Sequence, residues 1–237
     1  MNSRCVIALF ALAAAACSSS PDDAAGKNPS LGATDKGPAA PVDHPPVDPG
    51  KIPNLSAAPQ RVTIQSLRLS FPIALGTDDK GEPITWKLGD GSNGLDKMSD
   101  SLGEADFIDT TENSVEPSPL YLKFMDDAAR DVCNRALIAD YARTDKSARV
   151  LLHGLEKNDT VATNPAGVDA NLRGLKLRMH GVKVAEDDAT TIEPLRSLFT
   201  TAVDKAAGGG TPAEADVKEG WRVVCVALLT APEFHVY

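Results

Sequence analysis

Residues 118–143 read SPLYLKFMDDAARDVCNRALIADYAR, and this stretch decides the fold. Ser118 followed by Pro119 is a helix start: a hydroxyl to cap the first amides, then a proline at the position whose N–H would be unpaired anyway. Behind it Tyr121, Phe124, Met125, Ala128, Val132 and Ala136 recur at steps of three and four. That period places them on one stripe of a long helix running to about Arg143. Asp126, Asp127, Arg130, Asp131 and Arg135 fall on the opposite side, where Asp126 with Arg130 and Asp131 with Arg135 stand four residues apart. These charges read as a solvated face.

Working outward towards the C-terminus, three more helices follow. One is expected from Asp169 to His180, with Leu172, Leu175 and Met179 inward and Gly181 as its stop. Its outer residues Arg173, Lys176 and Arg178 form a small basic stripe, which reads as solubilising although it has the charge to touch phosphate or lipid. Another begins near Thr191, carries Ile192, Leu195, Leu198, Phe199, Ala202 and Val203, and ends at Gly208-Gly209-Gly210. Thr211-Pro212-Ala213-Glu214 then opens the last with a capping box. Its inner face is Val217, Trp221, Val224, Cys225 and Leu228, and Pro232 ends it.

Towards the N-terminus the pattern is less legible. Thr63 can cap a helix with Ile64, Leu67 and Phe71 inward and a kink at Pro72, yet Val62 and Ile64, and then Leu67, Leu69, Phe71 and Ile73, also alternate as a strand would. Helix is the favoured reading. The run ITWKLGDGSNG (84–94) reads as a short extended segment or hairpin, since glycine and asparagine supply the positive φ of tight turns. The expected fold is therefore mostly α: one helical domain, with a short β-hairpin possible, over residues 61–237.

Before it, residues 17–60 are rich in Pro, Ala, Gly, Asp and Ser, as in GPAAPVDHPPVDPGKIP, and read as a disordered, partly polyproline tether in which His44 is solvated. The chain opens MNSRCVIALFALAAAACSSS, with Arg4 as the charged region, Val6 to Ala16 as the apolar run and small alanines before Cys17. Residues 1–16 thus form a signal peptide. The apolar run is shorter than the roughly 20 residues of a spanning helix. The alanines before Cys17 resemble the lipobox of bacterial lipoproteins, although the leucine, Leu12, stands five residues before the cysteine rather than three. That resemblance implies an acylated Cys17, lipid as a partner, and an outer-membrane address from Ser18. Ordinary secretory cleavage near the same alanines is the other reading.

The formal charge is −9, and removing Arg4 with the signal makes it one unit more negative. Such a chain repels phosphate backbones, so nucleic acid is not an expected partner. Cys133 and Cys225 remain after Cys5 and Cys17 are accounted for. In an oxidising compartment such a pair forms a disulfide, and the alternative is two buried thiols.

Motifs that carry chemistry are few. Gly89-Asp90-Gly91-Ser92-Asn93-Gly94 matches G-x-G-x-x-G but lacks the preceding buried strand and following apolar helix that a dinucleotide site needs. It reads as a glycine turn. Asp78, Asp79, Asp90, Asn93, Asp96 and Asp100 are oxygen ligands suited to calcium, but not at EF-hand spacing. His153, His180 and His235 share no zinc spacing. Each cysteine lies in an apolar helix, where thiolate is disfavoured. Trp221 and Phe234 read as core anchors. No catalytic, cofactor or metal site is expected, although carboxylates such as Glu112 or Glu116 with Asp126 could meet through the fold.

The ending WRVVCVALLTAPEFHVY resembles the terminal helix of a group of uncharacterised exported bacterial proteins, through Trp221, Cys225, Leu228, Leu229, Pro232, Glu233 and Phe234. SPLYLKFMDDAARDVCNRAL and ANLRGLKLRMHGV resemble pieces of helical lipoproteins. Some of those families accompany or contain c-type cytochrome modules. This chain lacks their C-x-x-C-H, so the resemblance implies helical packing and, for any haem, a separate partner. The expected function is a non-enzymatic lipoprotein that binds a partner in an envelope assembly. The alternatives are an accessory subunit of an extracellular redox or hydrolytic system, or a carboxylate-based enzyme.

Overall fold

The computed structural model describes residues 59–105, 108 and 111–237, all within one compact unit. The expected signal peptide, Cys17, Ser18, His44 and nearly all of the tether lie outside the described residues.

The domain is mostly helical. Helix α1 is Ile64–Leu75, α2 Gly94–Lys97, α3 Pro119–Ala142, α4 Pro165–His180, α5 Glu193–Ala207, α6 Glu214–Thr230 and α7 Pro232–His235. The ambiguous N-terminal segment is helix: Thr63 Oγ1 accepts from the Ser66 N–H at 3.1 Å, and Ile64, Leu67 and Phe71 are buried. The alternation that suggested a strand leaves Leu69 and Ile73 exposed on the outer side of α1. Ser118 caps α3 as expected, accepting from the Tyr121 N–H at 3.1 Å.

Helix α4 starts four residues earlier than its apolar period suggests. Asn164 Oδ1 accepts from the Gly167 N–H at 3.0 Å and Pro165 takes the first turn, the same cap-then-proline device as Ser118-Pro119. Gly181 ends it with φ 68°, a left-handed conformation that glycine adopts without a Cβ clash. At α6 the expected Thr211–Glu214 box is replaced by a later one: α6 begins after Ala213, whose N–H donates to Asp216 Oδ2 at 2.8 Å. Pro232 follows the end of α6 and opens the short α7.

In place of a hairpin, the segment between α1 and α2 makes two tight turns, each closed by a single antiparallel bridge, Thr77 with Pro83 and Lys87 with Asn93. No strand forms among the described residues. Asp131 and Arg135 of α3 do not pair with each other. Asp131 Oδ2 accepts from the Lys87 N–H at 2.8 Å, and Arg135 reaches Asp78 Oδ2 at 3.6 Å, so both hold these turns against α3. The other expected pair, Arg130 with Asp126, forms at 2.9 Å.

Helix α6 is central, packing along both α3 and α5. Trp221 is 1% exposed and meets Phe199 with ring centroids 4.5 Å apart. Cys133 and Cys225 are joined by a disulfide that ties α3 to α6 across 92 residues of sequence. The ends of the domain also meet: Gln60 and Tyr237 exchange backbone hydrogen bonds of 2.9 and 2.8 Å, and the Val62 N–H donates to His235 O at 2.9 Å.

Candidate functional surface

Helix α5 buries its apolar stripe unevenly. Ile192 at its start, Phe199 and Val203 are fully buried, while Leu195, Leu198 and Ala202 are half-buried. Two hollows flank the helix. One, about 460 Å³, lies between α5 and α6 and is lined by Leu198, Thr201, Ala202, Lys205, Ala206, Glu219 and Val223. The second, about 450 Å³, is floored by Phe199, Val203, Val161 and Pro212, with Thr160, Thr163 and Asp204 among its polar members. Phe199 and Val203 also touch α6 at Gly220, where an added Cβ would stand 2.5 Å from Val203 Cγ2 and 2.9 Å from the Phe199 ring. The missing side chain thus lets α5 lie close to α6. Glu219 in the first hollow is engaged by Arg222 at 2.7 and 2.5 Å, and that hydrogen-bonded guanidinium holds its carboxyl below the usual range.

Two further hollows flank α4. One, about 650 Å³, is lined by Asp169, Arg173, Leu177 and residues 183–186. Asp169 Oδ1 lies 3.4 Å from Arg196 Nε, and Arg173 donates to Ala185 O at 3.2 Å and Glu186 O at 2.7 Å. The other, about 270 Å³, is lined by Arg149, His153, Ala170, Asn171, Gly174 and Arg178. Part of the basic stripe expected to be merely solubilising is therefore structural, since Arg173 fastens the chain after α4.

The remaining residues singled out in the sequence do not converge. Glu112 and Glu116 are exposed, Asp126 is paired with Arg130, and none of the three lines these hollows. His153 Nδ1 faces Arg149 O at 3.3 Å. His180 Nε2 meets Leu228 O at 2.8 Å and so links α4 to α6. His235 is buried, with Nε2 3.1 Å from Thr230 O and its ring at the edge of Tyr121. Among the described residues no three His, Cys, Asp or Glu side chains are grouped as metal ligands. Asp78 and Asp90 instead accept from their own turns, Asp78 from the Lys80 and Glu82 amides and Asp90 from Ser92, and Asp96 pairs with Arg68 at 2.7 Å. The glycine-rich run is a turn in which Gly91 has φ 82° and Gly94 lies against the Trp86 ring, where a Cβ would come within 2.3 Å.

Three buried polar residues carry no obvious signal in the sequence. Asp140, fully buried on α3, accepts from the Val150, Leu151 and Leu152 amides at 2.6–3.0 Å and from Arg143 at 2.8 Å. Arg149, 4% exposed, donates to Arg143 O and Leu155 O. Arg61, 2% exposed, donates to Leu102 O and lies 4.7 Å from the centre of the Tyr121 ring. Burial pushes the Tyr121 hydroxyl up to about 12, partly offset by the Arg61 charge. The available signal was position: Asp140 follows Ala136 and Leu137 at inward spacing, where a charged residue needs fixed partners.

The fold and this surface define a disulfide-pinned helical domain with hollows on two sides of α5. In comparison with known proteins, no family model, no curated protein and no solved structure matches the chain.

Proposed function

We propose that the chain is a lipid-anchored envelope protein whose helical domain binds a protein partner without catalysing a reaction, and that α5 is the binding element. The observation that carries this reading is the pair of apolar hollows on either side of α5, where Leu198, Ala202, Val223, Val161 and Pro212 stay within reach of a visitor. Partly accessible apolar side chains in recesses bordered by charge are a feature that partner sites use. The address rests on the N-terminal sequence, with Arg4, the apolar run and Cys17 as the acylation site. The Cys133–Cys225 disulfide supports it, since such bonds persist in oxidising compartments. The outer membrane is the surface to which Ser18 directs the anchor.

The C-terminal resemblance adds a packing argument only. Trp221, Cys225, Leu228 and Leu229 are buried in the core, so they specify how α6 sits and not what the protein does.

Two measurements test the proposal. Mass spectrometry of the membrane-extracted chain should find it beginning at Cys17 with diacylglycerol attached, and Cys17→Ser should release it. A photocrosslinker at Ala206 should capture one discrete protein in intact cells, and Ala202→Glu should abolish the adduct. A soluble mature chain beginning elsewhere would refute the anchor. No adduct, or one indifferent to Ala202→Glu, would refute the α5 surface.

A further inference from the structure

The hollow of about 270 Å³ beside α4 has a charge opposite to that of the whole chain. Its six lining residues include two guanidiniums, Arg149 and Arg178, one imidazole, His153, and one carboxamide, Asn171, with no carboxylate. Arg149 is 4% exposed, and its acceptors are the carbonyls of Arg143 (3.2 Å from Nε and 3.0 Å from Nη2) and Leu155 (2.6 Å from Nη1). A guanidinium has five N–H donors. Two of those on Arg149 are left over; its hydrogen-bond acceptors are neutral carbonyl oxygens, and the nearby Asp145 carboxylate acts on it only through space. Asp140, which shares this turn, gives its carboxylate to Arg143 and to the amides of Val150, Leu151 and Leu152. A buried cation hydrogen-bonded only to dipoles is costly, and an anion arriving beside it regains part of that cost.

The rest of the hollow fits such a visitor. Ala170, Gly174 and Arg178 stand one turn apart on α4, so two small residues leave space and the third adds a second cation. A Cβ built on Gly174 would meet nothing within 4 Å. Asn171 is 6% exposed and uses one N–H on Leu151 O at 2.7 Å, which leaves it a second. The volume equals that of about nine water molecules in the liquid, more than one tetrahedral oxyanion fills. Guanidinium forks match the oxygens of a phosphate better than a point charge does.

We infer that this hollow is a binding site for a phosphate group, free or carried on a larger molecule, held between Arg149 and Arg178. Phosphate in solution and the headgroup of an anionic phospholipid share this chemistry.

The test uses the full chain carrying Cys17→Ser, so that no acyl chain masks a lipid contact. Inorganic phosphate, titrated against a chloride control at equal ionic strength, should shift the amide resonances of residues 149–153 and 170–178 saturably. Arg178→Glu should weaken this at least tenfold, Arg178→Lys by less, and Gly174→Leu should block it. Gly174→Leu keeps the fold, because the position is open and leucine is the better helix former. Thermal melts of all three variants verify that each keeps the fold. Flotation with phosphatidylglycerol vesicles separates the sources: binding that Gly174→Leu removes assigns the site to a headgroup, and phosphate binding without flotation assigns it to a soluble carrier. Shifts no larger than those with chloride, or unchanged by Gly174→Leu, would overturn the inference.

Discussion

At the scale of single residues, the most consequential group is Asp140. Its two oxygens take hydrogen bonds from three consecutive amides, Val150 to Leu152, and from Arg143, while the residue itself has no exposure. The carboxylate therefore organises the turn between α3 and α4, including Leu151 and Leu152 of the core. Removing one partner of a buried charged network leaves the others unsatisfied, at about 3–5 kcal/mol. Asp140→Ala should lower stability by that amount in urea unfolding, and Arg143→Ala by less, since Asp140 keeps three amide donors without Arg143 and Arg143 itself is partly solvated. A loss under about 1 kcal/mol for Asp140→Ala would show that the amides find other acceptors. Turn aspartates act more weakly but together. The Glu82 amide holds Asp78 below the ordinary carboxyl range, the Ser92 hydroxyl does so for Asp90, the Ser147 hydroxyl for Asp145 and the Thr191 hydroxyl for Asp188. A carboxyl with a depressed folded pKa contributes stability above its unfolded value near 4, which is lost as pH falls through the folded value. The melting temperature should thus drop on acidification below about pH 4, and Asp→Asn at two of these sites should flatten that drop.

At the scale of elements, α5 and α6 are governed by Gly220. Glycine inside a helix costs roughly 1 kcal/mol relative to alanine, and here the empty position admits Phe199 and Val203. Gly220→Ala should be net destabilising, because overpacking a close contact costs about 1–3 kcal/mol and exceeds the gain in propensity. Hydrogen exchange should localise the effect: α5 amides speed up while those of α3 hold. A more stable variant would mean that α5 can shift outward freely. These two helices also show what the sequence could and could not convey. Ser118-Pro119 and the period behind it gave α3 its limits because caps and apolar spacing are local physics. Asn164-Pro165 carried the same signal for α4, yet an apolar stripe beginning later hid it. For α5 the period marked the stripe, of which Ile192, Phe199 and Val203 are buried and Leu198 and Ala202 line a hollow, since only the neighbouring element decides which apolar residues it covers. The roles of Asp131 and Arg135 depend wholly on distant chain, Lys87 and Asp78, so spacing within one helix could not reveal them.

At the scale of the whole molecule, the long-range connection is the Cys133–Cys225 bond between two helices that already pack together. Both sulfurs are buried, so the bond sits inside the core rather than on its surface. Its effect on stability therefore has two sources with different signatures. Closing a loop of 92 residues restricts the unfolded chain, which the entropic account values at about 4–5 kcal/mol. Replacing the sulfurs also changes core packing, so Cys133→Ala with Cys225→Ala loses both contributions. Chemical reduction of the unsubstituted chain loses only the first, apart from local strain between two thiols. Urea unfolding of the oxidised and reduced chains should give midpoints that differ markedly, with the reduced chain also showing a steeper dependence on denaturant because its unfolded state is less compact. The double alanine variant should fall below the reduced chain by a further cavity cost. If the oxidised and reduced chains unfold at the same midpoint and with the same dependence on denaturant, packing holds the domain without the bond. The bond would then mark the compartment in which the protein folds and add nothing to its stability.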